Sequence, residues 1–114
     1  MYAVAVSNDG KRAVSGGREH VIKLWDLETG KEIRQMEAHA KGVHGIAFSS
    51  DGRRIASASI AGHTVSLWDA ETGKELHRFE GHTDEVLEVA FSSDGRFLVS
   101  GGRDKSVRVW RVPR

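Results

Sequence analysis

The sequence predicts an all-β fold built from three copies of one short antiparallel unit, with eleven strands in all. Three observations carry this. Landmarks recur at a fixed period: Asp9-Gly10, Asp51-Gly52 and Asp94-Gly95 stand 42 and then 43 positions apart, and Trp25, Trp68 and Trp110 stand 43 and then 42 apart. Gly30 with Gly73, and His39 with His82, keep the same spacing. The two series agree if the period is 42 and the second copy carries one extra residue between Ser57 and Trp68. Between the landmarks lie brief runs rich in β-branched and aromatic residues, each bounded by turn formers. No stretch keeps a 3.6-residue apolar stripe long enough for a helix.

The first copy reads as strands near 2–7, 12–16, 21–26 and 31–36. Asp9-Gly10 separates the first two. Asp-Gly is the strong two-residue hairpin signal, because a type I′ turn needs positive φ and Gly supplies it freely. "LETGK" is a second, longer turn before the fourth strand. The second copy repeats the plan with "GIAFS", "RIASAS", "TVSLWD" and "KELHRFE". The third yields three strands and ends on "SVRVWRVPR", where Pro113, which cannot donate to a ladder, suits an edge or an end.

Composition removes several classes of function. The 114 residues are 39% hydrophobic and 29% charged, ordinary for a globular domain. No run approaches the ~18–20 apolar residues that cross a bilayer, and "MYAVAVSNDG" lacks the regions of a signal peptide. The expected address is therefore aqueous and cytoplasmic. Without cysteine there is no disulfide framework and no thiolate metal site. A formal charge of +1 gives no field to steer nucleic acid or an anionic membrane.

The residues that suggest chemistry resolve into repeat positions. "TGKE" has Trp25 or Trp68 where a phosphate-binding loop needs its first Gly, and Glu32 or Glu75 where it needs Ser or Thr. His39 and His82 recur with the repeat, and His20, His44, His63 and His77 form no ligand cluster. Ser15, Ser57 and Ser100 lie on strands, outside any Gly-x-Ser-x-Gly elbow. No catalytic residue, cofactor or metal is expected. Lys11, Arg12, Arg53, Arg54 and Arg96 follow the Asp-Gly turns and are expected at hairpin tips, as solvated turn residues rather than a ring for an acidic partner.

A period near 42, four strands per unit, the pairs Ala38-His39 and Gly81-His82, and Trp25-Asp26 and Trp68-Asp69 together resemble the WD-repeat β-propeller family over essentially the whole chain. The resemblance implies propeller blades of four-stranded antiparallel sheets, incomplete at about 2.75 blades. Repeat 1 spans about 1–37, repeat 2 about 38–80, and repeat 3 about 81–114, lacking its outer strand. The first copy begins beyond the position of its His, the second has Ala38 for Gly, and the third has Arg111 for the motif Asp. The resemblance also implies a buried polar set in each blade: a loop His, a Ser or Thr on the second strand, an Asp in the next turn and the Trp. The third copy is complete with His82, Ser100, Asp104 and Trp110. The second has His39, Ser57 and Trp68, but "SIAGHT" offers no Asp; the first has Ser15, Trp25 and Glu19 in place of Asp. A partial set leaves a buried group short of a partner at ~1–3 kcal/mol, so the third blade is expected to be the best ordered around its polar set.

In this family the outer strand of the last blade is often supplied by the chain's beginning, yet "MYAVAVS" starts at once on a first strand. A ring takes roughly 4 to 8 blades. The expectation is a non-enzymatic protein–protein interaction scaffold, the C-terminal blades of a larger propeller. Two alternatives stand beside it: a docking or sensor segment of a larger multidomain enzyme such as a bacterial protein kinase, or a self-assembling ring of several chains. Blades stack through faces carrying Ile46, Phe48, Val89 and Phe91, so partners include the missing blades or further copies as well as other proteins or peptides, and neither nucleic acid nor membrane. The family's usual contact positions fall on Tyr2, His44 and Leu87 at the start of each first strand, Gly42 and Glu85 two residues earlier, and Arg18 and Arg103 in the turn before Glu19 and Asp104.

Overall fold

The computed structural model of the chain describes residues 3–16, 21–37, 43–59, 63–82 and 84–112, without the side chains of residues 37, 44 and 59. Tyr2, Arg18, Glu19, His39 and Gly42 lie outside the described residues. Among the described residues, eleven strands form three antiparallel sheets. The first sheet contains β1 (Ala3–Val6), β2 (Arg12–Gly16), β3 (Val21–Asp26) and β4 (Glu32–Glu37) in sequence order. The second contains β5 (Val43–Phe48), β6 (Arg54–Ser59), β7 (Thr64–Asp69) and β8 (Glu75–Glu80). The third contains β9 (Val86–Phe91), β10 (Phe97–Gly102) and β11 (Val107–Arg111). Each sheet is a meander, because neighbouring strands are joined by turns too short for any crossover.

Alternation along the strands gives each sheet two different faces. Val14, Ile22, Leu24 and Met36 of the first sheet pack against Val43, Ile46, Ile55 and Trp68 of the second, with Phe48 partly buried beside them. The opposite face of the second sheet turns Ala56, Ala58, Val65, Leu67 and Phe79 onto Val86, Val89 and Leu98 of the third, flanked by Phe91 and Trp110. Two apolar layers between three sheets therefore make up the core. The inner strands approach most closely: a Cβ added to Gly45 would lie 2.9 Å from the Leu87 carbonyl oxygen, so only glycine fits there without a shift.

The Asp-Gly turns differ from the two-residue hairpin expected. Five residues separate β1 from β2, and of the Asp-Gly pair only glycine has positive φ: 72° at Gly10, 74° at Gly52 and 74° at Gly95. The reason lies in the serine two positions ahead. Ser7 Oγ donates to Asp9 Oδ1 at 2.6 Å, the same carboxylate oxygen accepts the Lys11 amide at 2.9 Å, and Ser7 Oγ accepts the Arg12 amide at 3.1 Å. Ser49-Asp51 and Ser92-Asp94 repeat the arrangement. A side-chain bracket of this kind closes a longer loop in place of the strained two-residue one.

Candidate functional site

Two groups of residues bear on the expected site: the polar set inside the sheets and the exposed residues at one end of the third. In the third sheet Trp110 Nε1 donates to Ser100 Oγ at 2.8 Å, and Ser100 Oγ lies 2.7 Å from His82 Nε2. His82 Nδ1 lies 3.0 Å from Asp104 Oδ2, and Ser106 Oγ donates to Asp104 Oδ1 at 2.6 Å. Every donor finds an acceptor if His82 is neutral with its proton on Nδ1: the imidazole then donates to Asp104 and accepts the Ser100 hydroxyl, which in turn accepts the indole N–H. His82 is 6% exposed and Ser100 1%. This set ties the loop before β9 to β10, β11 and the turn between them.

In the other sheets the described part of the set is the bond from tryptophan to serine. Trp68 Nε1 donates to Ser57 Oγ at 3.0 Å in the second, and Trp25 Nε1 to Ser15 Oγ at 3.0 Å in the first. Trp68 is buried against the first sheet, whereas Trp25 sits on the first sheet's free face and is only half-buried. The Asp after Trp is a turn former. Asp26 Oδ1 accepts the Glu28 amide at 2.9 Å and Asp69 Oδ1 the Glu71 amide at 2.8 Å, which shapes the turn into the fourth strand.

At the end of the third sheet the turn after β10 folds back on the segment before β9. The Arg103 amide donates to the Glu85 carbonyl at 2.8 Å, and Arg103 Nε meets Glu85 Oε2 at 2.9 Å while 62% of the arginine side chain stays exposed. Leu87, half-buried, follows on β9. Glu85 and Arg103 are thus brought together. The backbone of His44 lies on β5, and the remaining expected contact positions fall outside the described residues.

The basic residues after the Asp-Gly turns do not behave alike. Lys11, Arg53 and Arg96 are exposed, but Arg12 reaches into the neighbouring sheet, donating to the Gly52 carbonyl at 2.7 Å, pairing with Glu71 at 3.8 Å and lying over the Phe48 ring. Among the described residues no group of His, Asp or Glu is placed to hold a metal ion, and no helix is long and apolar enough to cross a membrane.

The profile of the WD domain, G-beta repeat, matches residues 1–26, 30–69 and 73–111. The chain belongs to the WD40 repeat family. Each full match begins just before the fourth strand of one sheet and ends on the third strand of the next, so a WD40 sequence repeat straddles two blades. Among curated WD40 relatives, the chain is 43% identical over 49 residues to the small ribosomal subunit protein RACK1z of Arabidopsis thaliana, covering 43% of this chain and 15% of that one. It is 38% identical over 62 residues to RACK1 of Brassica napus, covering 54% and 19%. It is 39% identical over 56 residues to the U3 small nucleolar RNA-associated protein 15 homolog of Gallus gallus, covering 49% and 11%. The chain spans less than a fifth of the length of these relatives.

Proposed function

We propose that the chain is a protein-interaction scaffold that binds peptides or protein surfaces at the loop end of its blades, without chemistry of its own. The carrying observation is the Glu85–Arg103 pair. A guanidinium held by a 2.9 Å ion pair and a backbone bond, yet largely exposed, is a cation whose geometry is fixed before a partner arrives. Preorganisation lowers the entropic cost of binding, and arginine is among the residue types that dominate interface energies. The full polar set beneath it makes the support stiff. In this reading the three blades form part of a larger ring, since propellers of this family contain roughly 4 to 8 blades and the outer faces of the first and third sheets remain exposed.

The test replaces Tyr2, Arg18 and Arg103 together with alanine and measures affinity for a partner isolated with the unaltered chain. A loss of tenfold or more, with unchanged circular dichroism, supports the face. Unchanged affinity rules it out.

A further inference from the structure

Asp-Gly is open to one spontaneous rearrangement more than other aspartyl peptides, because glycine carries no side chain to shield its nitrogen. That nitrogen attacks the aspartate Cγ. The N–Cγ bond forms, the Cγ–OH bond breaks, and the hydroxyl leaves with the amide proton as water. Water then opens the five-membered imide. Hydrolysis at the former main-chain carbonyl leaves isoaspartate, whose backbone runs through Cβ and Cγ and is one carbon longer. Asp9-Gly10, Asp51-Gly52 and Asp94-Gly95 all stand in turns between first and second strands, with the three aspartates exposed. An added carbon at Asp51 would fall between β5 and β6, just beyond the Phe48 and Ile55 pairing that the turn closes.

The turns oppose each part of this reaction. An ionised carboxylate has no hydroxyl to lose, and Asp51 Oδ1 accepts the Ser49 hydroxyl at 2.6 Å and the Arg53 amide at 3.0 Å, two bonds that favour the charged form. The attacking nitrogen is also engaged: the Gly52 amide donates to the Ser49 carbonyl at 2.9 Å. That bond closes four residues, and neither Ser50 nor Asp51 has positive φ, so the turn is type I. At the third residue of such a turn ψ is about 0°, which sets the Asp51 Cβ and the Gly52 nitrogen well apart around the Cα–C bond. The imide ring needs them eclipsed, so closing it breaks the turn. The other two turns repeat these bonds. Serine hydroxyl meets carboxylate at 2.6 Å in both, and the glycine amide meets the serine carbonyl at 2.9 Å for Gly10 and 3.0 Å for Gly95. From this we infer that the three Asp-Gly pairs are latent isoaspartate sites, each held shut by the serine two positions before the aspartate.

The experiment ages the 114-residue chain near neutral pH and follows isoaspartate at each site separately. Trypsin cuts after Lys11, Arg53 and Arg96, so every Asp-Gly falls in its own peptide, and electron-transfer mass spectrometry tells aspartate from isoaspartate. The same chain in urea, where the turns are lost, sets the unguarded rate. Without urea all three sites are expected to react more slowly. Ser49→Ala speeds the reaction at Asp51 about tenfold, the factor carried by one hydrogen bond to a charged group, while Asp9 and Asp94 in the same molecules keep their rates. Those two sites control for a damaged fold, because unfolding releases all three together. Ser7→Ala and Ser92→Ala move the effect to Asp9 and to Asp94. Rates without urea equal to those in urea, a rise shared by all three sites, or no rise at Asp51 in Ser49→Ala overturns the inference.

Discussion

Replacing Ser100 by alanine removes one oxygen that serves the buried His82 and the half-buried Trp110. The hydroxyl accepts the Trp110 indole N–H at 2.8 Å and bonds His82 Nε2 at 2.7 Å, in a position only 1% exposed. Leaving a buried polar atom unsatisfied costs about 1–3 kcal/mol. His82 Nε2 pays the larger share, being enclosed, while the half-buried Trp110 recovers part of its loss from solvent. The sum is about 2–4 kcal/mol. Ser15→Ala is the internal control: among the described residues it removes one bond, to the half-buried Trp25, and is expected to cost about 1 kcal/mol or less. The assay is urea unfolding followed by tryptophan fluorescence, with the slope checked for constancy before the midpoints are compared. Equal costs for Ser100→Ala and Ser15→Ala would refute the claim that the His82–Ser100–Asp104–Trp110 set is a cooperative tie.

Three further outcomes are expected. Gly45→Ala drives a Cβ against the Leu87 carbonyl and should cost about 1–3 kcal/mol, whereas Gly95→Ala meets nothing within 4 Å and should cost only the left-handed backbone penalty of about 1–2 kcal/mol; thermal unfolding of the pair separates packing from conformation. Lys105 holds φ at 65°, so Lys105→Gly should raise the urea midpoint, a gain of about 1 kcal/mol. Asp9, Asp51 and Asp94 are held below the ordinary aspartate range, first by the serine hydroxyls of the turn brackets and then by a backbone amide. Since their folded pKa is lowered, the stability they contribute is present above about pH 4 and is lost as pH falls through the folded value. Urea midpoints measured from pH 6 to pH 2 should fall at the acid end, and the triple change to Asn should flatten that fall.

The repeat could be read from the sequence because every sheet needs the same turn chemistry at the same place, so Asp-Gly and Trp-Asp mark the period whatever lies between them. The strand runs followed for a similar reason: short, β-branched and bounded by turn formers, they fit nothing else. Residue types at Ser100, Asp104 and Trp110 were legible through the resemblance. Their distances to His82 depend on how β10 and β11 pair, which no single segment encodes. The turn type is not legible in Asp-Gly alone; Ser7, Ser49 and Ser92, each two residues before the Asp, carry the signal. Arg12 looked like a solvated tip residue, since its neighbours Gly52, Phe48 and Glu71 lie far along the chain. The bonds from Asn8 Nδ2 to the Ser50 carbonyl and from Ser50 Oγ to the Ser93 carbonyl are hidden in the same way, joining residues 42 and 43 positions apart.

The end of the third blade that carries Arg103 is the proposed binding face. Arg96 and Arg103 flank the same strand at opposite ends, about 20 Å apart at strand rise, and both are exposed. A photo-crosslinking residue placed at 103 in one sample and at 96 in another, each with an isolated partner, reads the face directly. The account predicts adducts from position 103 and none from 96. Adducts from 96 alone, or equal yields from both, would contradict it.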